Sequence, residues 1–151
     1  AESVARRLPE RRIRYWITGP AEDGFEGEFE RLIARATLPV HVGRAPRAED
    51  AYAAADLVVF PSSWEGFGNP VVESVAARRM VVVGSYPVLS EIVADLEVLS
   101  IERPQDAVRW LQRPDEAVLE RNYRVARARF SIEHLPGRIH AAFREVGWTD
   151  W

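Results

Sequence analysis

The stretch Asp56-Leu-Val-Val-Phe-Pro-Ser-Ser-Trp-Glu-Gly-Phe-Gly-Asn-Pro-Val-Val-Glu-Ser74, with Met80-Val-Val-Val83 after it, decides the fold class. Leu57 to Phe60 is a continuous apolar run without polar alternation, the pattern of a strand covered on both faces. A loop with two glycines follows, then helical spacing over Asn69 to Ala77, then a second all-apolar run at Met80 to Val83. Strand, helix, strand in that order requires a crossover, and crossovers join parallel strands. Parallel strands that are apolar throughout need helices on both faces.

The same alternation extends in both directions. Upstream, Ala1 to Leu8 reads as the tail of a helix closed by Pro9. Arg12 to Thr18 reads as a strand ended by Gly19-Pro20. Asp23 to Ala36 has helical spacing through Phe25, Phe29, Leu32 and Ile33, and Leu38 to Val42 is a short strand stopped by Gly43. Ala48 to Ala55 is an alanine-rich helix leading into the first apolar run. Downstream, a helical turn at Ser90 to Ala94 precedes a weak strand at Glu97 to Ser100. Helices are expected at Pro104 to Gln112, Asp115 to Phe130 and His134 to Val146. The fold class is α/β, a doubly wound Rossmann-like parallel sheet in one domain over residues 1–151, with no repeat or low-complexity linker.

Composition narrows the function classes. The chain has 151 residues, 47% of them hydrophobic, which suits one domain with its own core and excludes disorder. There are 23 acidic and 20 basic residues, for a net charge of −3, so no basic excess points to nucleic acid. No run of 18 apolar residues could span a bilayer, and the charged start lacks the apolar stretch of a secretory signal. Without cysteine there are no disulfides, thiolate metal sites or cysteine nucleophiles. A cytoplasmic location is expected, peripheral to a membrane at most. Every basic residue is Arg, a choice that GC-rich coding explains better than function does.

In a doubly wound sheet, ligands bind beyond the carboxyl ends of the strands. The loop from Phe60 to Glu73 is the most unusual segment at such a place. Gly66 and Gly68 permit close backbone approaches, Asn69 suits an N-cap and Pro70 a first helical position. Free amides and the positive helix end then favour phosphate or sugar oxygens. Two carboxylates flank the glycines, Glu65 in the loop and Glu73 one turn into the helix. On a helical wheel Val71, Val72, Val75 and Ala76 cluster together, and Glu73 points away from them toward the crevice. Spacing alone also fits a Glu beside a helix dipole and an ordinary exposed loop Glu.

Other groups carry less. His41, His134 and His140 are too scattered for a metal signature, and Ser62-Ser63 lacks the Gly-x-Ser-x-Gly elbow of a hydrolase. Arg121, Arg124, Arg127 and Arg129 read as a solvated helix face. Trp148 and Trp151 fit either a surface that has lost its partner or a disordered terminus.

The segment Asp56 to Ser74 resembles the signature of the group 1 (family 4) glycosyltransferases, retaining enzymes of the GT-B fold. There a Glu-(seven residues)-Glu motif follows Pro-Ser and brackets Gly-Phe-Gly, as Glu65 and Glu73 do here. The resemblance extends in order through Ile17-Thr-Gly19, Val40-His-Val-Gly43, Ala51-Tyr-Ala-Ala-Ala-Asp56, Ser90-Glu-Ile-Val93 and Arg129-Phe-Ser131.

The resemblance implies a catalytic site at Glu65, which would contact donor sugar hydroxyls with backbone groups of Gly66, Phe67 and Gly68. It places the amides of Asn69 and Val71 near the donor diphosphate. It gives Glu73 the two ribose hydroxyls, a task for one bidentate carboxylate. Arg44 and Ala45, after Gly43, would lie beside the nucleobase. On this reading the chain is the donor-binding C-terminal half of a hexosyltransferase. Its substrate would be a nucleoside-diphosphate sugar, with no cofactor and no metal, and its acceptor pocket would lie in an absent N-terminal domain. Glu65, Gly68 and Asn69 are expected at the rim of an open crevice. A GT-B-like sugar epimerase and a non-catalytic nucleotide- or partner-binding module are the alternatives.

The chain also departs from the family pattern. Arg78 and Met80 stand where the family usually has glycine and proline, and Tyr86-Pro-Val88 replaces a frequent paired-glycine turn. Without glycine at Arg78 the helix lacks its favoured left-handed terminus, and a differently shaped loop is expected. The family's first strand, ending in Gly-Arg, and a following Lys would precede Ala1. In the order 3-2-1-4-5-6 that strand lies between the strands at Ile13–Thr18 and Leu57–Phe60, so these two should not pair directly. The chain alone is then expected to be inactive and at best a weak nucleotide binder.

Overall fold

A computed structural model describes residues 1–148. The element order is α1 (Glu2–Ala5), β1 (Tyr15–Ile17), α2 (Glu26–Ala34), β2 (Val40–Val42), α3 (Ala48–Ala54), β3 (Val58–Phe60) and α4 (Asn69–Ala76). It continues with β4 (Val81–Val83), α5 (Leu89–Ile92), β5 (Leu99–Ser100), α6 (Pro104–Gln112), α7 (Glu116–Phe130), a 3-10 turn (Ile132–His134) and α8 (Leu135–Glu145). Strands and helices alternate as expected, and every strand pair is parallel.

The strands form two sheets rather than one, β1-β2 and β3-β4-β5. In the first, Tyr15, Trp16 and Ile17 face Val40, His41 and Val42. In the second, Val58, Val59 and Phe60 face Val81, Val82 and Val83, and Val82 and Val83 face Leu99 and Ser100. As expected, β1 and β3 are not hydrogen-bonded to each other. β5 holds only two residues of the stretch Glu97 to Ser100.

The core surrounds β4, whose three valines are all buried. Val71, Tyr86 and Ile92 complete one cluster with Val81 and Val83, while Val75, Leu96 and Ala126 form a second. Both clusters draw on α4, which packs along α7. β3 is half-buried, not covered on both faces as its apolar run predicts. A strand with one unpaired flank has fewer neighbours to cover it. Buried Asn122 settles the approach to β5: its Oδ1 accepts from the Glu97 N–H (2.9 Å) and its Nδ2 donates to the Glu97 carbonyl (2.7 Å). Both polar groups are satisfied, as burial requires.

The β1-α2-β2 unit is thinly covered. Phe25 and Leu32 of the expected helix face are exposed, so the spacing made a helix without burying its stripe. Ahead of that unit, Leu8 is fully buried, and α1 lies against α6. Trp148 is exposed and stacks obliquely on Phe143, 5.4 Å between ring centroids. The expectation for Trp151 falls outside the described residues. Among the described residues no helix is long and apolar enough to cross a membrane.

Candidate functional site

β3 ends at Phe60 and the chain passes through Pro61 and Ser62 into the glycine loop. Gly84, at the end of β4, lets this loop lie close. A Cβ there would come 2.3 Å from the Ser62 carbonyl oxygen and 2.8 Å from that of Pro61. Ser62 Oγ donates to Glu65 Oε1 (2.7 Å), which orients the half-buried carboxylate and leaves its second oxygen unoccupied among the described residues. Gly66 is open, with nothing within 4 Å of the place a Cβ would take. Gly68 is the opposite case. It is buried, left-handed at φ 87°, and a Cβ would meet Tyr86 Oη at 2.3 Å. The Tyr86 hydroxyl also faces the Phe67 carbonyl at 3.4 Å. Burial, and then the negative charge of Glu65, raise the Tyr86 phenol above its ordinary value.

The helix start differs from expectation. Gly68, not Asn69, is the N-cap, so Asn69 and Pro70 open the first turn and no side chain caps it. Gly68 takes the role because the tight turn over Tyr86 needs a left-handed residue without a Cβ. The Val71 N–H donates to the Gly68 carbonyl (3.0 Å) and its side chain is fully buried. That removes Val71 from the amides offered at this end, leaving the one of exposed Asn69. The buried helix face is Val71, Ser74 and Val75, with Ala76 outside it, because Ser74 satisfies itself by donating to the Pro70 carbonyl (2.5 Å).

Glu73 is exposed, and its Oε2 accepts a 2.6 Å hydrogen bond from the hydroxyl of Tyr52 on α3. Burial, this bond and the Glu73 charge push the Tyr52 phenol far above its ordinary value, so it stays a donor. Arg79 braces the same place, donating from Nε to the Tyr52 carbonyl (3.0 Å) and from Nη2 to that of Ala53 (2.8 Å). Nothing in local spacing couples residues 52 and 73. A lone aromatic in an alanine-rich helix was the only available signal.

The other end of α4 corrects a second expectation. Arg78 adopts the left-handed geometry, φ 52°, that glycine would supply. The N–H groups of Arg78 and Arg79 donate to the carbonyls of Val75 (3.0 Å) and Ser74 (2.8 Å), the paired pattern of a Schellman terminus. The Arg78 guanidinium bonds Glu120 (2.8 Å) and lies 3.6 Å from the centre of the Tyr123 ring. These contacts offset the backbone strain, so the helix end is not reshaped.

An open cleft of about 460 Å³ joins the start of α4 to the end of α7, lined on one side by Phe67, Asn69, Val72 and Glu73. Residues Arg129 to Ile132, with Leu135 and Arg138, form the other side. Glu65 and Gly66 do not line it, and Gly68 is buried beneath its loop, so of the three residues expected at the rim only Asn69 is there. Arg44 and Ala45 follow β2 in the other sheet and do not reach the cleft. Their loop is held by the Trp16 indole N–H donating to the Gly43 carbonyl (2.7 Å). Arg129 is no solvated residue: it donates to the carbonyls of Ile92 (3.1 Å) and Glu91 (2.7 Å), closing the end of α5. Arg121 and Arg127 pair with Glu97 and Glu133. Among the described residues no three His, Asp or Glu side chains are grouped to hold a metal ion.

A family model described as "Glycosyl transferases group 1" matches residues 1–116. The chain is 36% identical over 69 residues to a mannosylglucosylglycerate synthase of Petrotoga mobilis, covering 44% of this chain and 16% of that protein. It is 38% identical over 79 residues to the lipopolysaccharide core biosynthesis mannosyltransferase LpsB of Rhizobium meliloti, covering 50% and 22%. Against the O-antigen chain mannosyltransferase B of Escherichia coli it is 32% identical over 106 residues, covering 66% and 28%. The matched stretches span less than a third of each of these relatives.

Proposed function

This chain belongs to the group 1 glycosyltransferases, and from that membership we propose that it is the donor-binding portion of a retaining hexosyltransferase using a nucleoside-diphosphate sugar. Mannose is the proposed hexose, since mannosyl transfer is named in the relatives from Rhizobium meliloti and Escherichia coli. The acceptor pocket is proposed to lie outside these 151 residues, in keeping with the small share of each relative that the match covers. The observation that carries the reading is the placement of the two carboxylates. β3 opens into the loop bearing Glu65, Glu73 follows on α4, and a separate hydroxyl holds each carboxylate with acceptor capacity to spare.

In this reading the free oxygen of Glu65 accepts from the donor sugar's hydroxyls, and Glu73 accepts from the ribose. The bond from the sugar's anomeric carbon to the diphosphate breaks, and the acceptor oxygen takes its place while its proton passes to the released diphosphate. The chain's part is positioning, with the Asn69 amide at the helix start facing the charge that grows on the diphosphate. The Arg78 departure keeps the helix end intact and so gives a degenerate binding module no support.

The test is a pair of substitutions. Glu73→Gln weakens nucleoside-diphosphate binding by about 1–3 kcal/mol, the loss of a charged hydrogen bond. Glu65→Gln leaves that affinity nearly unchanged and lowers sugar transfer in a polypeptide that also carries the acceptor site. Equal effects of both substitutions on nucleoside-diphosphate affinity would refute the division of roles.

A further inference from the structure

We infer that Tyr52 is a positioning residue that presents the Glu73 carboxylate to a ribose diol and so sets how strongly this site prefers ribonucleotides over deoxyribonucleotides. The inference rests on the reading of Glu73 given above and adds a residue to which that reading assigns no role. Glu73 stands on the exposed side of α4, where its three side-chain torsions would otherwise be free. Among the described residues the one hydrogen-bond partner of its carboxylate is the Tyr52 hydroxyl, at 2.6 Å on Oε2. A carboxylate offers about four acceptor positions. One bond from Tyr52 restrains the group and leaves both positions of Oε1 and one of Oε2, enough for bidentate acceptance from a pair of adjacent hydroxyls.

The donor is itself held. The two Arg79 bonds to the Tyr52 and Ala53 carbonyls tie the last turn of α3 to the Schellman turn that closes α4. Tyr52 and Glu73 therefore sit on two helices joined by a guanidinium, and their separation is not left to side-chain chance. The raised phenol keeps its proton near neutral pH, so its O–H stays committed to the Glu73 carboxylate. A carboxylate ordered in advance costs the ligand less to engage.

The experiment measures calorimetric dissociation constants of this chain for GDP, UDP and ADP, each beside its 2′-deoxy counterpart. Wild type, Tyr52→Phe and Glu73→Gln are compared. The phenylalanine keeps the ring, and a cooperative urea transition with unchanged slope checks that the fold is retained. Tyr52→Phe is expected to weaken the best-bound ribonucleotide about 3- to 10-fold while leaving its deoxy counterpart within about 2-fold. The ribo-over-deoxy ratio then shrinks. Equal weakening of both forms, the result of a merely structural role, overturns the inference, as does no change in either. If Glu73→Gln abolishes the preference and Tyr52→Phe does not, Tyr52 fails and Glu73 stands. If Glu73→Gln leaves the preference intact, or wild type binds the ribo and deoxy forms equally, the ribose reading of Glu73 falls and Tyr52 with it.

Discussion

Gly68→Ala tests the packing beneath the glycine loop most directly, because two separable costs meet at one atom. The backbone is left-handed at φ 87°, and a side chain there costs about 1–2 kcal/mol. The added Cβ would also stand 2.3 Å from Tyr86 Oη, well inside van der Waals contact. Tyr86 is buried among Val71, Val83 and Ile92 and cannot swing away cheaply, so overpacking adds about 1–3 kcal/mol. The single substitution should therefore cost about 2–5 kcal/mol. Removing the clashing oxygen separates the terms. Tyr86→Phe alone gives up only the long 3.4 Å contact with the Phe67 carbonyl, about 1 kcal/mol or less. In that background the nearest atoms to the new Cβ are the former Cζ at 3.1 Å and Phe60 Cε1 at 3.3 Å, contacts that small shifts relieve. Gly68→Ala should then cost only its backbone term, and the double-mutant cycle should show about 1–3 kcal/mol of coupling. Urea unfolding of the four chains, compared at constant slope, measures it. A cost for Gly68→Ala that is the same in both backgrounds, within about 0.5 kcal/mol, would refute the steric account.

Two further outcomes follow from the same structure. Arg78→Gly should lie within about 1 kcal/mol of wild type, because relief at φ 52° offsets the loss of the Glu120 pair and the Tyr123 contact. Arg78→Ala loses the contacts without the relief and should be less stable than Arg78→Gly by about 1 kcal/mol in the same assay, and the reverse order would contradict the Schellman assignment. The third concerns alkaline pH. The folded-state value of Tyr52 is raised, so its contribution is complete below the ordinary tyrosine value of about 10 and is lost as pH climbs beyond it. Tyr15 and Tyr86 are raised as well, so Tyr52→Phe should make the loss of stability above about pH 10 shallower without abolishing it. A fall as steep as that of wild type would show that the Tyr52 phenol is not raised in the folded chain.

Elements set by local chemistry are legible in the sequence alone. The limits of α6, Pro104–Gln112, match the reading, and α7 begins after Asp115, whose carboxylate accepts from the Ala117 N–H (2.9 Å) as a cap should. The stretch from β3 through α4 to β4 is equally plain, since apolar runs and turn residues act over a few positions. The errors lie where a distant group intervenes. Asn69 is a good cap by composition, but Tyr86 from beyond β4 forces the left-handed turn onto Gly68 and moves the cap by one residue. Arg129 reads as one of four exposed arginines until the end of α5 is set beneath it.

By itself, then, the sequence determined the order and kind of the elements, the parallel α/β class and the loop with its two carboxylates. Each depends on periodicity, propensity and turn chemistry between neighbouring residues. Only the tertiary structure decided that the strands divide into β1-β2 and β3-β4-β5, and that Phe130 and Arg138 face Phe67 across one cleft. It alone set Tyr52 against Glu73, 21 positions away. Such contacts depend on how helices are laid across the strands, and no pattern confined to one segment records which side chain will arrive from another.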